Sequence, residues 1–218
     1  MALAIFDLDN TLIAGDSDHG WGEFLVEQGL VDAKVYQEKN DYYFEQYQSG
    51  ELDILEYLSF SLTPLTEYSL DTLHKLREQF VKEKILPIIT QKSRDLLAKH
   101  RAQGDYLLII TATNLFVTEP IAQELGVDHI IATEPEFKNG EYTGRVAGIP
   151  SFQEGKVKRL TEWLEQNALS LQGSYFYSDS HNDLPLLKIV EHPVAVDADE
   201  TLTQHAQEKN WPIISLRD

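Results

Sequence analysis

Three short apolar runs, each broken off by polar residues, constrain this chain most. Ala2-Leu3-Ala4-Ile5-Phe6 stops at Asp7, Tyr106-Leu107-Leu108-Ile109-Ile110 stops at Thr111, and Tyr175-Phe176-Tyr177 stops at Ser178-Asp179. Apolar runs of this length without alternation mark strands buried on both faces, which belong to parallel sheets covered by helices. Helical stretches lie between them: Ser93 to Gln103 closed by Gly104, Glu119 to Leu125 stopped by Gly126, and Lys156 to Gln166. His129 to Ala132, Val194 to Val196 and Ile213 to Ser215 read as further strands. Asn139-Gly140, between Phe137-Lys138 and Glu141-Tyr142, reads as a hairpin turn, because both turn positions need positive φ. The alternation predicts an α/β fold, a mostly parallel sheet with helices on both faces, whose ligands sit at the carboxyl ends of the strands.

Between the first and second strands the pattern changes. Trp21 to Leu30, Ala33 to Tyr47 and Leu70 to Lys84 are long amphipathic stretches. Tyr36, Tyr43 and Tyr47 recur at helical spacing and are expected to fill the core of this helical part rather than a substrate pocket. The chain of 218 residues is thus expected to divide into a core, residues 1–14 and 86–218, and an all-helical insert, residues 15–85.

Charge narrows the partners. Eighteen Lys and Arg face 36 Asp and Glu, a formal net charge of −18. Such a surface repels nucleic-acid phosphates and anionic lipid headgroups, so neither is an expected partner. There is no cysteine, which excludes disulfides, thiolate metal sites and a thiol nucleophile. The first apolar run meets Asp7 at once and no stretch approaches the roughly 18 apolar residues of a spanning helix. The expected location is the cytoplasm.

Chemistry is expected just past the strand ends. Asp7 and Asp9 follow the first strand; Asp179 and Asp183 follow Tyr175 to Ser178. Taken singly, such residues also serve as turn formers and helix caps. Carboxylates gathered at one sheet edge repel one another unless a cation neutralises them, and all-oxygen ligation of this kind suits Mg²⁺. Thr111 ends the second strand and Lys156 opens a helix after Gly155, adding a hydroxyl and an ammonium. These are the parts needed to bind and transfer a phosphoryl group. The histidines form no metal-binding pair, and His181 is expected to be exposed or structural.

On these residues the sequence resembles the haloacid dehalogenase superfamily, whose four motifs it carries in order: Asp7-Leu8-Asp9-Asn10-Thr11, Thr111, Lys156, and Ser178-Asp179-Ser180-His181-Asn182-Asp183. The helical insert looks like the cap of the phosphoserine-phosphatase-like branch (subfamily IB), over a Rossmann-like core. Within that branch the chain most resembles a bacterial group that includes histidinol-phosphate phosphatases. The resemblance implies Asp7 as nucleophile forming an aspartyl-phosphate, and Asp9 as general acid and then base. It implies Mg²⁺ on Asp7, the Asp9 carbonyl and Asp179, phosphoryl contacts from Thr111 and Lys156, and support from Asn182 and Asp183. Asp two residues after the nucleophile, where the family's ion pumps have Thr, implies a phosphatase or mutase acting on a small phosphorylated metabolite. Phosphotransfer to an organic acceptor, or a non-catalytic metal-binding or regulatory module, would use the same core.

For the substrate, Asp16 matches the acidic residue with which phosphoserine phosphatases hold an amino group. Arg77 is the sole arginine between Gly15 and Ile85, which disfavours a carboxylate-bearing substrate. Histidinol phosphate therefore leads and phosphoserine follows. Asp16, Asp18 and Glu23 are expected to attract the amine and Trp21 or Phe24 to stack on the ring. Gly15, Gly20 and Gly22 are expected to allow hinge movement.

Overall fold

A computed structural model describes residues 2–217. Six strands form one sheet in the order β3-β2-β1-β6-β7-β8, every pair parallel. They are β1 (Leu3–Phe6), β2 (Tyr106–Asn114), β3 (His129–Thr133), β6 (Tyr175–Ser178), β7 (His192–Val196) and β8 (Ile213–Ile214). The three apolar runs occupy the centre, as their lack of alternation requires. Ala4, Phe6, Leu107 and Ile109 pack into one apolar layer; Leu3, Ile5, Leu108 and Ile110 pack into the other. The first layer is covered by α5 (Gln91–Gln103) and α6 (Leu115–Leu125), the second by α7 (Glu154–Asn167), the short α8 (Leu184–Leu187) and α9 (Glu200–Lys209). This is the Rossmann-like α/β arrangement expected.

Helical elements fill the stretch between β1 and β2: α1 (Ser17–Glu27), α2 (Ala33–Ser49), α3 (Ile54–Ser61) and α4 (Leu70–Phe80). Asp16, Asp32, Asp53 and Ser69 cap their N-termini through side-chain oxygens, satisfying amides that a helix start leaves unpaired. The segment is not detached from the sheet. Trp21, Phe24 and Phe80 extend the first apolar layer, with Trp21 edge-on to Phe80 (5.3 Å) and to Phe116 of α6 (5.9 Å).

Several boundaries differ from the sequence expectation. β2 continues to Asn114, so Thr111 lies within the strand instead of ending it. α1 begins at Ser17 because Asp16 caps it; α4 stops at Phe80 and gives way to a wide turn through Ile85. α3 and α9 were not anticipated. The Asn-Gly hairpin forms, β4 (Pro135–Lys138) with β5 (Glu141–Val146), with Asn139 at φ 53° and Gly140 at φ 89°. It stands apart from the main sheet, and β5 packs against α3 and the Thr63–Thr66 turn. Among the described residues no helix is long and apolar enough to cross a membrane.

Candidate active site

Register brings the polar strand ends together. Phe6 is paired with Ile109 on one side and Tyr177 on the other, so Asp7 emerges beside Ser178-Asp179 and one residue short of Thr111. The amide of Asp7 still donates to the Tyr177 carbonyl at 2.9 Å, which ties the residue to the sheet. Beyond it, residues 8–12 make a wide turn in which Ile13 N–H reaches the Leu8 carbonyl at 3.1 Å and Asn10 takes the left-handed conformation, φ 52°.

That turn points Asp9 into a ring of donors. Its carboxylate accepts the Ser17 amide at 2.6 Å, the Thr113 hydroxyl at 2.8 Å and the Thr111 hydroxyl at 3.3 Å. Opposite, Lys156 is 2% exposed and donates to Asp7 at 3.0 Å and to Asp183 at 2.9 Å. Ser178 donates to the same Asp183 oxygen at 2.7 Å. Asp183 therefore anchors the lysine. Thr11 donates to Asp179 at 3.0 Å and accepts the Asp179 amide at 3.1 Å. Lys156 sits in the first turn of α7, which is entered through a tight loop: Gln153 has φ 46°, and a Cβ at Gly155 would lie 2.1 Å from the Pro150 carbonyl. Only glycine lets the backbone close there.

Four carboxylates, Asp7, Asp9, Asp179 and Asp183, thus face one ammonium. Burial holds the Asp7 carboxyl well above its ordinary range; Lys156 opposes this, and Asp183, Asp179 and Asp9 add to it. Burial, with Asp183 beside it, pushes Asp179 up to about 7. Burial works against the charge of Lys156, but Asp183 and Asp7 outweigh it and hold the lysine above its usual value. The excess of buried negative charge fits a divalent cation. Among the described residues no three Asp, Glu or His side chains converge to form a metal centre alone. An ion here would rest on few protein ligands, main-chain oxygen and water, the habit of Mg²⁺.

The site opens into a cleft lined by Asp7, Asp9, Thr111 and Thr113 at its reacting end. Asp16 and Asp18 from the start of α1 line it, as the sequence suggested, and among the described residues no lysine or arginine does. Other expectations fail. Trp21 (2% exposed) and Phe24 are sealed in the apolar layer and reach no ligand, because the helix turns that face toward Phe80 and Phe116. Glu23 points outward, its side chain 60% exposed beside His19. The tyrosine stripe divides: Tyr36 packs on Phe60 (4.6 Å), whereas Tyr43 and Tyr47 line the cleft. Gly20 and Gly22 lie inside α1, and Gly22 permits close approach of α2, since a Cβ there would meet Asn40 at 2.7 Å. Asn182 spends its amide on contacts away from the carboxylates, donating to the Tyr47 carbonyl at 3.0 Å and accepting from Gln153 at 2.9 Å. His181 is structural, bonded to Asp199 at 2.8 Å.

Sequence reasoning missed Thr113, Thr11 and Ser178, which orient the three outer carboxylates, and Phe44, Tyr57 and Phe152, which line the cleft. Thr11 and Ser178 sit inside quoted motifs and were within reach. Thr113 was hidden by the unrecognised extension of β2.

Comparison with known proteins agrees with this geometry. The chain is 45% identical to a histidinol-phosphatase of Neisseria meningitidis serogroup C over 99% of both chains. It is 29% identical to phosphoserine phosphatase SerB1 of Mycobacterium tuberculosis, over 99% of this chain and 71% of that one. A crystal structure of a Bordetella pertussis protein of unknown function superimposes with a TM-score of 0.94 at 43% identity, over 99% of both chains. A phospho-aspartyl intermediate analogue of phosphoserine phosphatase shares the fold, with a TM-score of 0.72 at 17% identity over 99% of this chain and 93% of that one. The haloacid dehalogenase-like hydrolase profile matches residues 4–188, and the chain belongs to that family.

Proposed function

We propose that this hydrolase is a Mg²⁺-dependent phosphomonoesterase working through an aspartyl-phosphate on Asp7, with histidinol phosphate as its substrate. The observation that carries the reaction class is the setting of Asp9: a carboxylate held by three donors beside the buried Asp7–Lys156 pair. Asp7 attacks phosphorus and its oxygen forms the new bond as the ester oxygen leaves. Asp9 delivers a proton to that oxygen, then takes one from the water that attacks phosphorus and releases phosphate. Lys156 and the Thr111 hydroxyl bind phosphoryl oxygens, and Asp183 keeps Lys156 in place. Asp7, the Asp9 carbonyl and Asp179 would hold Mg²⁺, which would neutralise charge on the phosphoryl group.

Residues 15–85 act as a cap over the core formed by residues 1–14 and 86–218. Gly15 is the flexible point, and Asn182 docks the end of α2 when the cleft is closed. Closure excludes bulk water from the acyl-phosphate.

The substrate reading rests on the cleft's charge. Away from Lys156, acidic and aromatic groups line it and, among the described residues, no lysine or arginine does, so an amine is welcomed and a carboxylate is left unpaired. The 45% identity to a histidinol-phosphatase supports it. Purified protein with Mg²⁺ is offered histidinol phosphate and phosphoserine, and released phosphate is measured. A higher kcat/KM for histidinol phosphate is expected; a ten-fold preference for phosphoserine refutes the assignment.

A further inference from the structure

The two acidic residues at the start of α1 are not equivalent. One oxygen of Asp16 accepts the amides of Asp18 and His19, both at 2.9 Å. Asp16 lines the cleft together with Asp7, Asp9 and Asp18. Asp18 lies further along the helix turn. Among the described residues no N–H donates to its carboxylate, and Tyr57 lines the cleft with it. Burial raises its carboxyl to about 7, with Tyr57 opposing that rise and Asp9 adding to it. Such a group gains most from a donor brought by a ligand.

The walls around Asp18 are aromatic. Tyr57 lies edge-on to Tyr43 at 5.4 Å, Tyr47 faces Phe152 at 6.0 Å, and the His19 ring rests against Phe44 at 4.7 Å. Tyr43, Phe44, Tyr47, Tyr57 and Phe152 line the same cleft as Asp18, and among the described residues no lysine or arginine lines it. In an aminoalkyl phosphate whose amine sits on the carbon next to the ester carbon, Asp16 is placed for the amine. A ring one carbon further on is left to Asp18, which lines the same cleft.

We propose that Asp18 and Tyr57 form a ring-recognition subsite, in which a planar N–H-bearing heterocycle lies between the aromatic walls and donates its N–H to Asp18. The subsite rests on the histidinol phosphate reading and names the side chains that read the imidazole. Donation to a carboxylate and stacking of an imidazolium on tyrosine act together there.

The test compares histidinol phosphate with 2-aminoethyl phosphate, which has the amine and the ester but no ring. Asp18→Asn is expected to lower kcat/KM for histidinol phosphate by about ten- to a hundred-fold, chiefly through KM. The ratio of the two substrates' kcat/KM should fall by about ten-fold or more. An unchanged ratio overturns the subsite, including the case where both substrates lose equally, since that is structural damage. If Asp18→Asn does not fold, Tyr57→Phe removes one hydroxyl and should lower the same ratio by about three-fold or more; no change in it also overturns the subsite. Wild-type protein that ignores histidinol phosphate takes down the substrate reading and this subsite together. Wild-type protein that hydrolyses it with an unaltered ratio in the variants takes down the subsite alone.

Discussion

Thr113→Val isolates the role of Asp9 without touching a reacting group. Thr113 is buried on β2, and valine matches its shape while deleting the hydroxyl that donates to Asp9 at 2.8 Å. Thr111 makes the longer contact, 3.3 Å, so Thr113 is the stronger side-chain restraint on that carboxylate. A hydrogen bond to a charged group contributes about 1.5–3 kcal/mol. If that energy holds Asp9 at the leaving oxygen, its loss lowers proton delivery by about ten- to a hundred-fold. The assay is kcat/KM, which reports the steps through formation of the phosphoenzyme. On an alkyl phosphate, whose alkoxide needs the proton, the full loss is expected. On p-nitrophenyl phosphate, whose phenolate leaves without one, the loss should stay within about three-fold. Thermal melting followed by circular dichroism checks that the variant is folded. Equal losses on both esters would falsify the argument, because they would place Thr113 in general folding of the site and not in proton transfer.

Other perturbations test the remaining parts. Lys156→Met breaks the buried contacts with Asp7 and Asp183 and should cost about 3–5 kcal/mol in urea unfolding as well as activity, whereas a cost under about 1 kcal/mol contradicts the buried-pair argument. Gly155→Ala sets a methyl 2.1 Å from the Pro150 carbonyl, so the start of α7 must shift and carry Lys156 with it; activity should fall even at temperatures where the fold persists. Asn182→Ala removes the bond to the Tyr47 carbonyl, and amide exchange at the end of α2 should quicken; unaltered exchange denies Asn182 a docking role. Removing divalent ions with EDTA should abolish phosphate release and added Mg²⁺ should restore it, while activity that survives chelation removes the metal from the proposal.

The core was legible because its signals are local. Apolar runs buried on both faces announce β1, β2 and β6, and parallel register alone then places Asp7 beside Asp179 and Thr111. Lys156 arrives from α7, whose start is set by the glycine before it. The cleft was far less legible. Tyr36, Tyr43 and Tyr47 share a helical stripe, but which of them meets the cleft depends on how α2 lies over the sheet, a long-range outcome that periodicity does not encode. Trp21 looked like a stacking platform from its position; whether it faces ligand or Phe80 is decided by the rotation of α1 against α6. Thr113 escaped because Thr111 to Asn114 is polar and does not read as strand, although β2 carries it straight past Asp9.

The arrangement of charge along the cleft argues for its substrate more strongly than any one residue. At the sheet edge, four carboxylates and one ammonium cannot receive a phosphate dianion unaided, and the chain's net charge of −18 gives no long-range help. Lys156 offsets Asp7 and Asp183 there, and the proposed divalent ion would offset the rest. Further along the cleft stand the carboxyl groups of Asp16 and Asp18, and among the described residues no lysine or arginine lines it beside them. A molecule that fits both ends is negative at its ester and positive, or rich in N–H donors, at the other. Phosphoserine offers an amine but adds a carboxylate that meets no cation in the cleft, so its binding carries the cost of an unpaired charge near two acids. An amino alcohol phosphate bearing an imidazole matches the gradient along its whole length. Introducing a cation at the aromatic end, as in Leu52→Arg, should therefore narrow the gap between the two substrates. A gap that stays the same would show that charge in the cleft does not select the substrate.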